Sequence, residues 1–323
     1  MTRFVIDEVS WSDLEPGQLA APAAQLISAI ERKLERVAAI RDCGQAISKH
    51  SSIYEAEVAG QAMFFDLLYG PDYAYLGRDL RLRLMVAIDQ TPNWDADFAP
   101  ADIHVTIDGR TFEAPSIAVA WENLSAGAAV ACVPLDCIGR HGPVTVKVGG
   151  DDRTVHFVTT DSEQAGFFRA AIEIEDADED GFAALASSAF PALDWADGVW
   201  GGLSEFSRPF RDVRADVTQH LSVLNDHGAG VFHAFSANGP DEVAARLSAL
   251  GATASDENGR TKRNRDCEKD RTRFYRGREV SFWWHTKLEP NVDRIHFLYI
   301  PGPNGSPGVV VVGIFTEHCR LLG

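Results

Sequence analysis

The sequence predicts an α+β protein built in several parts, and three observations carry that prediction. Apolar residues recur at helical spacing through the first part of the chain, as at Leu26, Ile30, Leu34 and Val37. The period then changes to the alternation of short strands, as in Asp-Ile-His-Val-Thr-Ile-Asp at 102–108. The charge changes sign near Gly251: residues 251–323 hold 12 Lys/Arg against 9 Asp/Glu, and the other 250 hold 18 against 38. At 323 residues the chain is long for one core. The expected parts are a helical N-terminal region at 1–95, a small antiparallel β-sandwich-like domain at 96–161, a helical segment at 162–251 and a basic C-terminal module at 252–323.

Each part follows from local chemistry. In the first, Glu31, Arg32, Lys33, Glu35 and Arg36 fill the polar side of the Leu26 helix. Further helices are expected near 54–68, stopped by Gly70-Pro71, and near 76–88. In the second part, Asp108-Gly109 and Gly149-Gly150-Asp151-Asp152 are hairpin turns between strands. Ile117 to Trp121 and Ala128 to Leu135 are further strand candidates. The third part returns to helix at 164–174, and its 173–180 run, acidic at six of eight positions, lacks the Asp/Asn/Gly order of a calcium loop. Val213, Val217, Leu221 and Leu224 make an amphipathic helix expected to stop at Asn225-Asp226-His227-Gly228. In the module, 252–278 is expected to be exposed, and 279–287, 294–300 and 309–315 to be strands. The last of these is apolar on both faces and is expected inside a sheet.

Composition narrows the function classes. A net charge of −17 keeps most of the chain away from nucleic acid and anionic membrane. Cys43, Cys132, Cys137, Cys267 and Cys319 are scattered, with no metal-ligand spacing, which suits a reducing cytoplasm. Neither a metal nor a cofactor is expected. The start, with Asp7 and Glu8 and no long apolar run, carries no expected signal peptide. Dinucleotide, phosphate-loop, nucleophile-elbow and zinc-protease motifs are all missing from the sequence.

The candidate site lies in the tail. Alternate residues of a strand share a face, so His285 pairs with Lys287, and Arg294 with His296. If the three strands are neighbours, these four groups converge, with His318 at their edge. Guanidinium and ammonium groups hold phosphoryl oxygens, and imidazole moves protons near neutral pH. Those are the parts of a metal-independent endoribonuclease. Upstream, Lys262, Arg263, Arg265, Arg271, Arg273, Arg276 and Arg278 are expected to track a phosphate backbone, with Tyr275, Trp283 and Trp284 stacking on bases. The same charges equally suit a structural network, or docking on an acidic partner.

Two resemblances bear on this site. The stretches Phe282-Trp283-Trp284-His285-Thr286-Lys287, Arg294-Ile295-His296-Phe297 and Gly313-Ile314-Phe315-Thr316-Glu317-His318, with Ala189 to Trp200 and Leu224 to Gly228 before them, resemble a group of uncharacterised bacterial proteins. Members of that group are encoded near phage-defence or mobile-element genes. More distantly, the module is similar to the RelE/ParE toxin superfamily, with an Arg on a mid-sheet strand (Arg294) and a basic tip (His318, Arg320). That resemblance implies a twisted antiparallel sheet on helices and messenger-RNA cleavage. The acidic body departs from the pattern, since such toxins are basic throughout. The expected function is therefore a cytoplasmic component of a bacterial defence or toxin-like system. Its module contacts nucleic acid, RNA foremost, and its body binds partner proteins of a defence complex. The rival expectation is a non-catalytic adaptor.

Overall fold

A computed structural model describes residues 3–19, 24–95, 99–289 and 292–319. The protein is α+β and divides into two units, Met1–Glu175 and Asp176–Gly323. Among the described residues no helix is long and apolar enough to cross a membrane.

In the first unit, strand β1 (Phe4–Ile6) leads into the short helix α1 (Val9–Ser12), and then α2 (Ala24–Asp42) returns to β2 (Ile47–Ser48). A small hairpin, β3 (Glu57–Val58) and β4 (Ala62–Met63), precedes α3 (Phe64–Tyr69) and α4 (Arg78–Asp89). Then come β5 (His104–Ile107), β6 (Arg110–Glu113), α5 (Pro115–Ser125), β7 (Ala131–Val133), β8 (Gly142–Val148), β9 (Asp151–Phe157) and α6 (Asp161–Ile174). Seven strands form one sheet in the order β2-β1-β7-β9-β8-β5-β6.

This arrangement corrects the second expected part. The strands of 96–161 do not close into an antiparallel sandwich of their own, because β1 pairs parallel with β7 and with β2, and β7 pairs parallel with β9. Helices, not a second sheet, cover the faces. Phe4 packs its ring on Phe167 and Phe168 of α6. Its neighbour Val5 belongs to the cluster formed with Ile117, Ala118 and Ala120 of α5. Successive strand residues point to opposite faces, so the two helices lie on opposite sides. Ile117 to Trp121, expected as strand, is helix: Pro115 occupies the first turn, where its missing N–H costs nothing. The stretch 54–68 is also not one helix but a 3-10 turn, the β3–β4 hairpin and α3. Both predicted hairpin turns are present, with Asp108, Gly109, Gly149 and Gly150 all at positive φ.

In the second unit, α7 (Glu179–Ala189) precedes β10 (Leu193–Trp195), and then α8 (Phe210–Val223), α9 (Ala229–Phe235) and α10 (Pro240–Ala249) follow. The expected stop at Asn225 to Gly228 is instead a π-helical turn that carries α8 into α9. After β11 (Ala254–Asp256) come the short helices α11 (Gly259–Lys262) and α12 (Arg265–Asp270) and the hairpin β12 (Thr272–Tyr275) with β13 (Arg278–Ser281). The predicted strand at 279–287 is therefore two, β13 and β14 (Trp284–Glu289), and β15 (Val292–Ile300) and β16 (Val309–Thr316) complete the unit. The sheet order is β10-β16-β15-β14-β11, antiparallel except for β10 against β16. One face meets α9, where Phe232 touches Trp284, Phe297 and Tyr299. On another side Tyr275, Phe282, Val311 and Ile314 form a core cluster.

Candidate functional site

Strand register brings the tail residues together. His285 faces His296 and Lys287 faces Arg294 across β14–β15, and Ser255 of β11 faces His285. Residues two apart share a face, so the four side chains form a square on one side of the sheet. An open pocket of about 520 Å³ is bounded by His285, Lys287, Arg294 and His318 and by the run 255–258. His296 does not line it. That ring is fully buried behind the others, which corrects its place among residues that touch a substrate. Arg320 lies outside the described residues.

Two local devices set this geometry. Asp293 takes a left-handed backbone, φ 50°, at a buried position of β15. Its carboxylate accepts from the backbone N–H and the hydroxyl of Ser207, at 2.7 and 2.8 Å. Those bonds hold a conformation that non-glycine residues rarely adopt, immediately before Arg294. Farther along, His296 pairs with Ile314 but Phe297 pairs with Val312, so Gly313 is the extra residue of a bulge. A Cβ on Gly313 would lie 2.5 Å from the Phe282 ring. The bare glycine thus lets Phe282 close over the sheet, and the Phe282 carbonyl accepts from His296 Nδ1 at 3.1 Å.

The imidazoles are neutral. Burial first, then the neighbouring His296 and Arg294, push His285 down to about 2. Burial and then Arg271 push His296 down to about 3. Burial and Arg294 also lower His318. Since Nδ1 of His296 donates to Phe282, its Nε2 carries a lone pair, buried without a hydrogen-bond partner. His285 Nε2 meets Ser255 Oγ at 3.1 Å. The tautomer that donates there leaves His285 Nδ1 likewise buried without a hydrogen-bond partner.

The pocket carboxylates are already matched. Glu257 Oε1 accepts from Arg271 Nε at 3.0 Å and Nη2 at 2.7 Å, and Asp256 pairs with Lys262 at 2.7 Å. Lys287 and Arg294 have no side-chain hydrogen bond or ion pair among the described residues, and the Arg294 Nε is buried without a partner. Two cations on the pocket wall therefore lack a salt-bridge partner among the described residues, with Glu257 acting on Arg294 only at longer range.

The basic segment is not the open backbone track that was expected. Arg271 is 1% exposed and serves Glu257, so it cannot meet a nucleic acid from outside. Lys262 is taken by Asp256, and Arg276 pairs with Asp194 at 2.8 Å. Arg273 bonds the carbonyls of Asp270 and Thr272. Arg263, Arg265 and Arg278 remain exposed. Base stacking by Tyr275 and Trp284 also falls away: Tyr275 is buried and bonded to Asp194, and Trp284 is packed on Phe232.

Sequence reading passed over Glu257. One of its oxygens and a ring nitrogen each of His285 and His296 lie within 4.8 Å of one another, a set able to hold a metal ion where none was expected. The available signal was the alternation of Ser255 and Glu257 before Asn258, which caps α11 through the N–H groups of Arg260 and Thr261.

A second ionic cluster lies in the first unit, at the end of β1. Arg140 bridges Asp7 at 3.2 Å and Asp13 at 2.6 Å, and Lys33 donates to the Val133 carbonyl at 2.8 Å. Glu8 accepts from the Ser116 N–H at 2.8 Å. Burial, then Asp7, raises Glu8 to about 7, and burial lowers Lys33 to about 8.

Comparison of the chain with protein-family models, with curated proteins and with solved structures returns no match.

Proposed function

We propose that the second unit takes a phosphate of single-stranded nucleic acid, RNA foremost, into the pocket at Lys287 and Arg294. One observation carries this reading. Both pocket carboxylates are paired from within, by Lys262 and Arg271, while Lys287 and Arg294 have no salt-bridge partner among the described residues. A cation held out of bulk water without a counter-ion is costly, and an anionic oxygen entering the pocket removes that cost. Arg294 offers the planar fork that suits a phosphodiester. In the cleaving form, His318 takes the proton of a ribose 2′-hydroxyl, whose oxygen attacks phosphorus, and returns a proton to the departing 5′-oxygen. The toxin-like setting rests on the middle position of Arg294 in an antiparallel sheet and on the hairpin to a last strand ending near His318.

The test is binding of a labelled single-stranded RNA to the full chain at low salt. Arg294→Ala and Lys287→Ala are each expected to weaken it at least about tenfold, the scale of one charge-assisted bond. A log–log salt slope of about −0.7 is expected for one neutralised phosphate on a single strand. Equal binding by both variants, or no binding of any nucleic acid at low salt, removes the reading.

The adaptor alternative has its own observation. Met63, Phe65, Tyr69, Leu82 and Val86 of the first unit are 40–53% exposed, and the Phe65 and Tyr69 rings lie 4.6 Å apart. An apolar patch of this kind marks a protein contact. Were the RNA assay blank and Phe65→Ser to abolish a purified partner's binding, this reading would stand in place of the first.

A further inference from the structure

We infer that Glu257, His285 and His296 bind a first-row transition dication at the inner end of the pocket, where the ion and Arg294 together hold one anionic oxygen ligand. The inference deepens the anion reading of the same pocket and rests on it for its second half.

Three facts support the ion. First, three segments distant in sequence bring a carboxylate oxygen and two ring nitrogens within 4.8 Å of one another. Bonds of about 2.1 Å in a tetrahedral set put donors about 3.4 Å apart, so side-chain shifts of about 1 to 1.5 Å close the set. Second, the free nitrogens are His296 Nε2 and His285 Nδ1, both buried without a hydrogen-bond partner. A buried ring nitrogen without a partner is costly, and a cation at that point recovers the cost. Third, the opposite nitrogens are already fixed, by the Phe282 carbonyl and by Ser255 Oγ, both at 3.1 Å. That outer shell is how proteins orient metal-bound histidines. Two imidazoles with one carboxylate suit zinc, iron or cobalt better than magnesium or calcium.

The remaining charges decide how the ion binds. Arg271 and Arg294 both face Glu257, and Lys287 stands on the same wall. These cations oppose a bare dication. An anion bridging the ion and Arg294 offsets that repulsion, so ion and anion bind cooperatively, each raising the affinity of the other by the same factor.

The experiment uses the full chain, stripped with a chelator and titrated with cobalt(II), then zinc(II), with and without inorganic phosphate. Visible cobalt absorption and calorimetry are the readouts. One equivalent is expected, with tighter binding when phosphate is present. Glu257→Gln and His285→Gln are expected to lose at least tenfold in affinity. Ser255→Ala, which keeps all three ligands, is expected to lose about tenfold, as outer-shell changes do. His104→Ala, an exposed histidine of the other unit, is the control and leaves the titration unchanged. No one-equivalent binding by the natural chain, or natural affinity in Glu257→Gln, overturns the ion. Ion binding that phosphate does not alter overturns the joint site. RNA binding that depends on Arg294 in the stripped protein, with no ion taken up, keeps the anion reading and removes this one.

Discussion

The two buried ionic clusters of this protein solve the same problem in different ways. At the end of β1 most charges meet partners: Arg140 has Asp7 and Asp13 and Lys33 has a carbonyl, while Glu8 Oε2 and Arg140 Nε are left without a hydrogen bond. In the second unit, Glu257 and Arg271 close on each other, but among the described residues Arg294 and Lys287 have no side-chain hydrogen bond or ion pair, and two imidazole nitrogens are left over. Burial of charge costs several kcal/mol in either place. A cluster that recovers that cost internally stabilises its fold. One that leaves it unrecovered is shaped for something that arrives from outside.

The sharpest way to break this contrast is a pair of substitutions. Arg140→Ala strands Asp7, which is fully buried, and is expected to cost about 3 to 5 kcal/mol in urea unfolding. Arg294→Ala removes a cation that has no salt-bridge partner among the described residues and is expected to leave stability unchanged or slightly raised. A large loss from Arg294→Ala would make the second cluster structural and erase the difference.

Proton linkage probes the first cluster through a Glu8 variant. Folded Glu8 is raised to about 7 from 4.5, so its neutral form adds stability that is full below 4.5 and lost as pH rises through 7. Lys33 is lowered from 10.5 to about 8, so its contribution is present above 10.5 and lost as pH falls through 8. Between 4.5 and 7 Glu8 lowers stability as pH rises, while His285 and His296, held below their ordinary value of 6.5, raise it up to that pH. The Glu8 contribution there is about 3 kcal/mol at most. By chemical denaturation, Glu8→Gln should remove the Glu8 share, so stability should rise more steeply with pH across that window in the variant than in the natural protein. An unchanged slope in Glu8→Gln would mean that Glu8 is ionised in the folded protein.

The smallest effect tests the second cluster's support. Gly313→Ala places a methyl group against Phe282 and is expected to cost about 1–3 kcal/mol by overpacking. Because Phe282 bonds His296, the same variant should shift the imidazole NMR signals of His296. A loss of stability with no change at His296 would uncouple the bulge from the site.

Much of this was legible locally. The shared faces of His285 with Lys287 and of Arg294 with His296 follow from alternation, which acts over a few residues. The helices around Leu26 and Val213 were equally plain, since a 3.6-residue period is written in a single segment. Ile117 to Trp121 misled because a short apolar run fits strand and buried helix alike, and Pro115 decided for helix.

The sequence by itself thus determined the α+β class, most of the elements and the strand faces that carry His285, Lys287, Arg294 and His296. Tertiary structure alone decided that β1 joins the later strands in one sheet, that Arg271 turns inward, and that Glu257 reaches two histidines. The physical reason is one of range. Period and turn propensity belong to neighbours in the chain, whereas whether a charge meets water, a counter-ion or a lone pair depends on segments that only packing brings together.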